Sequence, residues 1–436
     1  MTACPYSGRP AGAGDAAAPG ATGAPDAPLP LYGPEFSANP RATYDRLRAR
    51  GAIAPVEITP GVYGMLTTTY RSALHLLRNT PDRFAKDPRH WRALRDGTVP
   101  PDSPAATMMG PRDNALWLDG PAHARLRQVI TDSLARVDTH ALVGTVGRIA
   151  DRLIDDIAPR GEADLVADFA EPLPLQVLIE LFGSPPELGR TITEAVARVF
   201  DAGDDAAEAM ATTETACLEL TRLKRRRPGA DVTSWMCAHP ARLSDAEMVQ
   251  QLLLVIGAGA TPSTNLISNA ALLLIDDERF SGDVFTGVRP VNDALEHVLW
   301  EDPPIANYCP LYAREPETYE GVTIEPGVPV LVSFAAANSD PALAVPEHRR
   351  AGNRAHLAYS AGVHGCPAAD LARTISETAI ERLLDRLPDV TLACPREELS
   401  RRPGTFHSGW LSLPVTFPTP ATTQSTSRPR TPASPR

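Results

Sequence analysis

The sequence predicts a mostly α-helical protein with minor β hairpins, folded as a single domain. The chain has 436 residues and 43% of them are hydrophobic, which is enough material for one large buried core. Apolar residues recur at helical spacing over most of its length. Only two segments, 55–68 and 321–334, show the pattern and the Gly or Pro turns of paired strands. No internal repeat is visible.

Helical spacing predicts the elements in the following order. A short amphipathic helix at 42–50 precedes the hairpin at 55–68. Four further segments have the apolar spacing of a helix, at 122–136, 142–157, 173–182 and 191–200. Ser244 and Glu247 form a capping box, S-x-x-E, which begins a long uncharged helix. The last two predicted helices, 290–300 and 368–387, lie on either side of the strands at 321–334.

Charge and terminal composition exclude several classes of function. The 42 Lys and Arg against 53 Asp and Glu give a net charge of −11, without the clustered basic face of a nucleic-acid-binding protein. The uncharged segment 252–275 is long enough to cross a bilayer, but it is rich in polar residues and a charged run follows it at once. We therefore expect a buried helix and no membrane span. Residues 1–30 lack a signal-peptide pattern, so we expect a cytoplasmic domain, 31–417, between a disordered leader and a disordered tail at 418–436.

Cys366 is the cysteine whose surroundings call for an explanation. The six cysteines are widely spread without a C-x-x-C pair, which argues against a disulfide framework or a structural zinc site. Cys366 lies between a glycine-containing loop and the last predicted helix, with Pro367 at the expected first helical position. A thiolate there would face unpaired N–H groups and the positive end of the helix dipole. Gly362 and Gly365 would let a flat ligand approach the backbone, and His364 can donate to an acidic group on it. A buried structural cysteine is the alternative.

The segment around Cys366 resembles the haem-ligand loop of the cytochromes P-450. It reads HLAYSAGVHGCPAADLAR from 356 to 373, against approximately F-G-x-G-x-H-x-C-x-G-x-x-L-A-R in soluble bacterial members. Three positions differ from that pattern: Tyr359 for Phe, Ser360 for the first Gly and Ala368 for the Gly after the cysteine. The resemblance implies that Cys366 is the iron ligand of haem b and that the same loop contacts the haem through Tyr359, Gly362 and His364.

A second resemblance lies far upstream of this loop. Residues 119–127, DGPAHARLR, are similar to the family's D-x-P-x-H-x-R-L-R, whose His and last Arg contact the haem propionates. The i to i+4 spacing puts His123 and Arg127 on one helical face, as two donors to carboxylates require, although a solvated basic face explains such a pair equally simply. Further matches follow in order at 321–327 and 329–341, so the resemblance covers 31–417. It also implies that Ala258 and Gly259 line the oxygen side of the haem.

The sequence departs from the family on the haem-side core. The family has Glu-x-x-Arg in the helix before its Pro-rich turn, and His297 and Trp300 occupy those two positions here. Because both partners of a buried ion pair are lost together, the change can cost little. An arginine that many members direct at a propionate is replaced by Leu311, and Arg314 is a candidate substitute.

A further departure lies in the helix that faces bound oxygen. The family pattern A/G-G-x-D/E-T has an acid and an alcohol where this chain has Thr261 and Pro262. Because proline has no N–H, the carbonyl of Ala258 loses its helical partner and we expect a kink. A carbonyl and a hydroxyl, of Thr261 or Ser263, are left to hold water, so the ordinary proton relay is altered.

The resemblance implies a monomeric monooxygenase that inserts one atom of O2 into a small apolar substrate. Its electrons would come from NAD(P)H through a ferredoxin and a ferredoxin reductase. The altered helix leaves two alternatives, a peroxide-dependent or substrate-assisted oxidase and a non-catalytic haem-binding regulatory or partner protein. Substrate choice is expected to depend on loops at 90–115 and 182–203, which carry no recognisable signature.

Overall fold

The structure, a computed structural model, describes residues 27–200, 206–276, 291–343 and 352–419. The described part is mostly helical with small sheets, as the sequence predicts. Its α-helices are α1 (Gly33–Ala38), α2 (Pro40–Arg48), α3 (Tyr70–Arg78), α4 (Arg92–Arg95), α5 (Pro104–Met109), α6 (Gly120–Leu134), α7 (Thr139–Ile157), α8 (Pro172–Leu181), α9 (Pro186–Phe200), α10 (Ala206–Arg226), α11 (Val232–Ala238), α12 (Asp245–Asp276), α13 (Val291–Glu301), α14 (Phe334–Asn338) and α15 (Ala369–Arg386). Its strands are β1 (Leu29–Pro30), β2 (Ile53–Thr59), β3 (Val62–Thr67), β4 (Phe84–Ala85), β5 (Glu162–Asp164), β6 (Asn307–Ala313), β7 (Glu317–Tyr319), β8 (Val322–Ile324), β9 (Val330–Ser333), β10 (Thr391–Leu392) and β11 (Pro414–Thr416).

Capping residues explain where several helices begin. Helix α2 begins at Pro40, before the predicted start, because the Asn39 side chain accepts the N–H of Ala42. The predicted capping box of α12 is confirmed, since the Ser244 N–H donates to the Glu247 carboxylate at 2.8 Å and the Glu247 N–H donates to Ser244 Oγ at 3.2 Å. The two segments expected to be substrate loops contain helices, α4 and α5 in one and α9 in the other.

The largest sheet lies around the predicted hairpin. It has six strands in the order β1-β2-β3-β9-β6-β4, with β2 and β3 antiparallel as predicted and β9 parallel to β3. Leu29 of β1 pairs with Val56 of β2. Smaller sheets are β10-β11-β5 and β7-β8. Residues 1–26 of the predicted leader and 420–436 of the predicted tail lie outside the described residues.

Helix α12 is the central element of the core. Its C-terminal half, including Leu266 and Ala270, packs in a hydrophobic cluster with α7, α13 and α15. Its N-terminal half, including Leu252 and Ile256, packs in a second cluster with α6, α8, α9, α10 and α11. The uncharged segment is therefore a buried helix, as expected. Across the described residues, no helix has both the length and the apolarity that crossing a membrane demands.

Candidate functional site

The Cys366 loop is held by two main-chain hydrogen bonds just before α15. The N–H of Cys366 donates to the Tyr359 carbonyl at 2.9 Å, and the N–H of Ala368 donates to Cys366 Sγ at 3.4 Å. Helix α15 begins at Ala369 because Ala368 has a non-helical backbone, so the prediction that Pro367 is the first helical residue was wrong. The thiol still faces an N–H group at the positive end of the helix, as predicted.

Cys366 combines an accessible sulfur with a position deep in the protein. Its side chain keeps exposed surface although protein surrounds it on most sides. Burial raises the pKa of the thiol, while the Ala368 N–H and the guanidinium groups of Arg127 and Arg373 oppose that effect. No group of three or more His, Cys, Asp or Glu in the described residues is placed to hold a metal ion. A metal bound by Cys366 would therefore bring its other ligands with it, as the iron of a haem does.

Two residues of this loop have left-handed backbone conformations. Gly362 has φ +71°, and a Cβ there would lie 2.5 Å from the Leu77 carbonyl oxygen, so only glycine fits. Ser360, where the resembling family has glycine, has φ +61° and is therefore strained. Ala368, the other replaced glycine, has φ −116°, a conformation open to any residue.

His123 and His364 meet across a sequence separation of more than two hundred residues. Their ring centroids are 4.0 Å apart, and His123, on α6, is 6% exposed. Within the described chain, Nε2 of His123 and both ring nitrogens of His364 are buried without a hydrogen-bond partner. Burial, together with the nearby positive charges of His364 and Arg127, lowers the pKa of His123 to about 4. Buried donors lacking partners fit an acidic ligand group, such as a haem propionate.

Arg127 links α6 to the cysteine loop. Its guanidinium Nη2 donates to the carbonyl of Gly365, the residue before Cys366. The structure therefore brings together four residues that the sequence placed in one site: His123, Arg127, His364 and Cys366. Asp119, at the start of α6, lies 3.7 Å from His364 Nε2.

The middle of α12 has accessible surface despite lying at the centre of the fold. Gly257–Ala258 are exposed, and Gly259, Thr261 and Pro262 are partly exposed. Ser263 is 6% exposed, so Thr261 is the hydroxyl with accessible surface. The helix continues through Pro262, which leaves the carbonyl of Ala258 without an i+4 N–H donor. Val255 of α12 and Ala368 of the cysteine loop pack against the same hydrophobic cluster.

A buried charge cluster lies beside the positions of the missing Glu-x-x-Arg motif. Glu296, one residue before His297, is fully buried and accepts hydrogen bonds from Arg373 Nε at 2.8 Å and His356 Nε2 at 3.0 Å. Arg373 also lies over the Tyr359 ring, 4.7 Å from its centroid. The sequence analysis expected both charges to be lost, whereas the structure shows a carboxylate displaced by one residue and paired with another arginine. The sequence signals that could have indicated this pair were the Glu at 296 and the Arg at the end of the matched L-A-R.

The remaining departures are also placed by the structure. Trp300 is buried, and its indole Nε1–H donates to the Asn353 carbonyl at 2.8 Å. Leu311 is buried in β6. Arg314, the candidate substitute, is partly exposed, and its Nε donates at 2.7 Å to the carbonyl of Pro81.

The chain is similar to known proteins over most of its length. The chain is 31% identical over 384 residues to 2-hydroxy-5-methyl-1-naphthoate 7-hydroxylase of Streptomyces carzinostaticus, covering 85% of this chain and 93% of that protein. It is 31% identical over 399 residues to the cytochrome P-450 monooxygenase PikC of Streptomyces venezuelae, covering 89% and 93%. The solved structure of CYP154C4 from Streptomyces sp. ATCC 11861 superposes with a TM-score of 0.82 at 28% identity, covering 91% of this chain and 99% of that one. No protein-family model matches the chain.

Proposed function

The chain belongs to the cytochrome P-450 family of monooxygenases, and from that premise we propose that Cys366 holds the iron of haem b. The protein would insert one atom of O2 into a small apolar substrate. The observation that carries this proposal is that Cys366 is exposed and that its Sγ accepts the Ala368 N–H just before α15. When bound, the haem supplies the activation of oxygen, and its thiolate ligand favours O–O cleavage.

The chain's own residues would hold and orient the haem. The Tyr359 carbonyl fixes Cys366 through its N–H, and Gly362 gives the loop the close approach to α3 that positions it. The buried donors of His123 and His364, with Arg127, would bind the propionates. Ala258 and Gly259 would line the oxygen side of the ring.

Proton handling would rest on α12. The unpaired carbonyl of Ala258 and the accessible hydroxyl of Thr261 would hold a water molecule on the oxygen side, and Pro262 would keep that carbonyl free of the helix. Ser263, being nearly buried, would support this arrangement from within the helix packing. Electrons would come from NAD(P)H through a ferredoxin and its reductase. The protein would act as a monomer in the cytoplasm.

The pair Thr261-Pro262 favours a second candidate function. An enzyme lacking the usual acid and alcohol can use hydrogen peroxide as its oxidant, or a hydroxyl of the substrate as its proton donor. Either route needs the same haem and the same Cys366. The two candidates differ only in how protons and electrons arrive.

The first experiment is the absorbance difference spectrum of the dithionite-reduced protein with and without carbon monoxide. The long-wavelength Soret band of thiolate-ligated ferrous haem is expected, and Cys366→Ala should abolish it. Cys237→Ala, at a partly buried cysteine on α11, is the matched control and should keep the band. A folded protein that takes up haem but shows no such band would contradict Cys366 ligation.

The second experiment separates the two oxidation routes. Product formation on a panel of small apolar substrates is compared with NADPH and a ferredoxin pair, and with hydrogen peroxide alone. Greater turnover with the ferredoxin pair supports the monooxygenase, whereas greater turnover with peroxide supports the second candidate. Pro262→Thr restores the family's alcohol and should raise the product formed per NADPH consumed. Silence under both conditions, with thiolate-ligated haem bound, would overturn both.

A further inference from the structure

We propose that Lys86 binds a haem propionate and takes the place of the arginine that Leu311 replaces. The proposal rests on the proposed haem site and adds a residue that neither sequence motif contains. It is argued from the burial of Lys86, its lack of an ion-pair partner and its place beside β6.

Lys86 is a buried cation whose ammonium forms no ion pair with a described residue. Its side chain is 1% exposed, one of the largest fully buried side chains in the protein. Among the described residues, no carboxylate lies within 4 Å of its ammonium, and its closest recognised partner is the Trp117 ring, 5.8 Å from the nitrogen to the centroid. Lysine is almost never fully buried unless it is paired, because desolvating a lone charge is costly. An anionic ligand would supply the missing charge.

The strand register relates Lys86 to Leu311. In the antiparallel pair of β4 and β6, Ala85 lies opposite Tyr312, and Lys86 is the residue directly after β4. Extending this register by one residue would bring Lys86 level with Leu311. Residues directly opposite each other in antiparallel strands project from the same face of the sheet. On that extension, the side chain of Lys86 would leave the sheet on the face from which an arginine at position 311 would project.

Lys86 is also joined to the helix that carries the propionate-binding residues. Its main-chain N–H donates to Asp119 Oδ2 at 2.8 Å. Asp119 is the N-cap residue of α6, and its Oδ1 lies 3.7 Å from His364 Nε2. The same Asp119 carboxylate therefore contacts the main chain of Lys86 and lies near His364, one of the two histidines whose buried ring nitrogens lack hydrogen-bond partners in the described chain.

The competing explanation is that Lys86 only packs on Trp117. The indole ring attracts a desolvated cation above its face, which offsets part of the burial cost. The two explanations predict different effects of removing the charge on the stability of the haem-free protein. If a propionate is the partner, removal of the charge harms only the haem-bound form; if the ring is the partner, it harms both forms alike.

The test compares Lys86→Met with Lys224→Met. Methionine keeps an unbranched side chain and removes the charge. Lys224 is a partly buried lysine, paired with Asp231 at 2.7 Å between α10 and the start of α11, so its replacement breaks an ion pair elsewhere. The rate of haem loss is measured as haem transfer to excess apomyoglobin. The stability of the haem-free protein is measured by urea unfolding.

For Lys86→Met, haem transfer should accelerate about tenfold to a hundredfold, the value of one charge-assisted hydrogen bond. The urea midpoint of the haem-free protein should stay the same or rise, because an unpaired buried charge is gone. Lys224→Met should lower that midpoint and leave haem transfer unchanged. Adding Leu311→Arg to Lys86→Met should restore slow transfer, since the guanidinium would enter the same place.

Unchanged haem transfer in Lys86→Met would overturn the proposal, whatever happens to the urea midpoint of the haem-free form. If Lys86→Met does not fold, Lys86→Gln removes the same charge and is judged by the same two readings. Wild-type protein that binds no haem would instead refute the proposed function. Wild-type and Lys86→Met proteins that hold thiolate-ligated haem equally well would refute only the role of Lys86.

Discussion

Replacing Glu296 by glutamine tests the buried charge cluster that stands beside the missing Glu-x-x-Arg motif. Glu296 is fully buried, and Arg373 and His356, both nearly buried, are hydrogen-bonded to its two oxygens. Glutamine keeps the size of the side chain and one acceptor oxygen but removes the negative charge. Arg373 would then be left as a buried cation facing a neutral amide.

The size of the effect follows from burial. Breaking a buried ion pair by removing one charge costs about 3–5 kcal/mol, because the other charge is left uncompensated. The nearest alternative partner of Arg373 is Asp370, whose carboxylate is 3.7 Å away and 90% exposed. An exposed pair of that kind contributes at most about 1 kcal/mol, so it cannot compensate. Since glutamine keeps one acceptor, we expect Glu296→Gln to lower the free energy of unfolding by about 3 kcal/mol.

The effect has a defined pH dependence. Burial acts to raise the pKa of Glu296, but the hydrogen bond from His356 and the charge of Arg373 outweigh it and hold the pKa below its ordinary value. A carboxylate with a depressed folded-state pKa stabilises the protein fully above its unfolded pKa, near 4.3, and loses that contribution as the pH falls through the folded value. The stability difference between wild type and Glu296→Gln should therefore be full at pH 7 and shrink below about pH 4.3.

Urea unfolding of the haem-free protein, followed by circular dichroism at pH 7 and at several lower values, measures this difference. Asp231→Asn, at the Lys224 pair, is the control and should also destabilise the protein, whereas only Glu296→Gln should weaken the long-wavelength carbon monoxide band. The double variant Glu296→Met with Arg373→Met should recover most of the loss, because an apolar pair replaces the buried charges. A loss below about 1 kcal/mol at pH 7, the range of an exposed pair, would refute the reasoning.

Three further predictions concern single residues. Ser360→Gly should raise the free energy of unfolding by about 1 kcal/mol, because glycine relieves the left-handed backbone; urea unfolding measures it, and a loss would contradict it. Trp300→Phe should cost about 1 kcal/mol in the same assay, because the hydrogen bond from the buried indole to the partly buried Asn353 carbonyl is lost. No change would show that water replaces the indole. Burial, with the charge of Arg402, lowers the pKa of His407 to about 4, so the folded protein should lose stability as the pH falls from about 6.5 to 4. His407→Gln should flatten that decline, and an unchanged slope would exclude this histidine as its source.

Local patterns in the sequence sufficed for most helices and for the β2–β3 hairpin. Helix α10 escaped prediction because its residues, AAEAMATTETACLELTRLKRR, have a weak apolar stripe, and its stability comes from packing against α9 and α12. The β10-β11-β5 sheet escaped for another reason. It pairs residues 162–164 with 414–416, and no local signal specifies a contact so distant in sequence.

The site divides in the same way. Cys366, Gly362 and His364 lie in one short motif, so a single segment of sequence was enough to predict them. Glu296 became visible only when the fold set it against Arg373, because its neighbours in sequence gave no indication of its partner. Lys86 needed more, namely the register of two strands and the knowledge that its ammonium forms no ion pair with a described residue.

The departures from the family pattern fall into two kinds, and the difference bears on mechanism. On the side that would hold the haem, each lost charge has a counterpart nearby: Glu296 with Arg373 for the missing ion pair, and Lys86 for the arginine absent at Leu311. On the oxygen side, Thr261 and Pro262 stand where the family has an acid and an alcohol. Glu296 and Arg373 neutralise each other with or without haem, whereas a buried lysine without an ion-pair partner is costly in a chain that binds no anionic ligand. The pattern therefore favours a protein that retains its haem and has changed how protons reach bound oxygen, which is the difference that the comparison of the ferredoxin and peroxide routes measures directly.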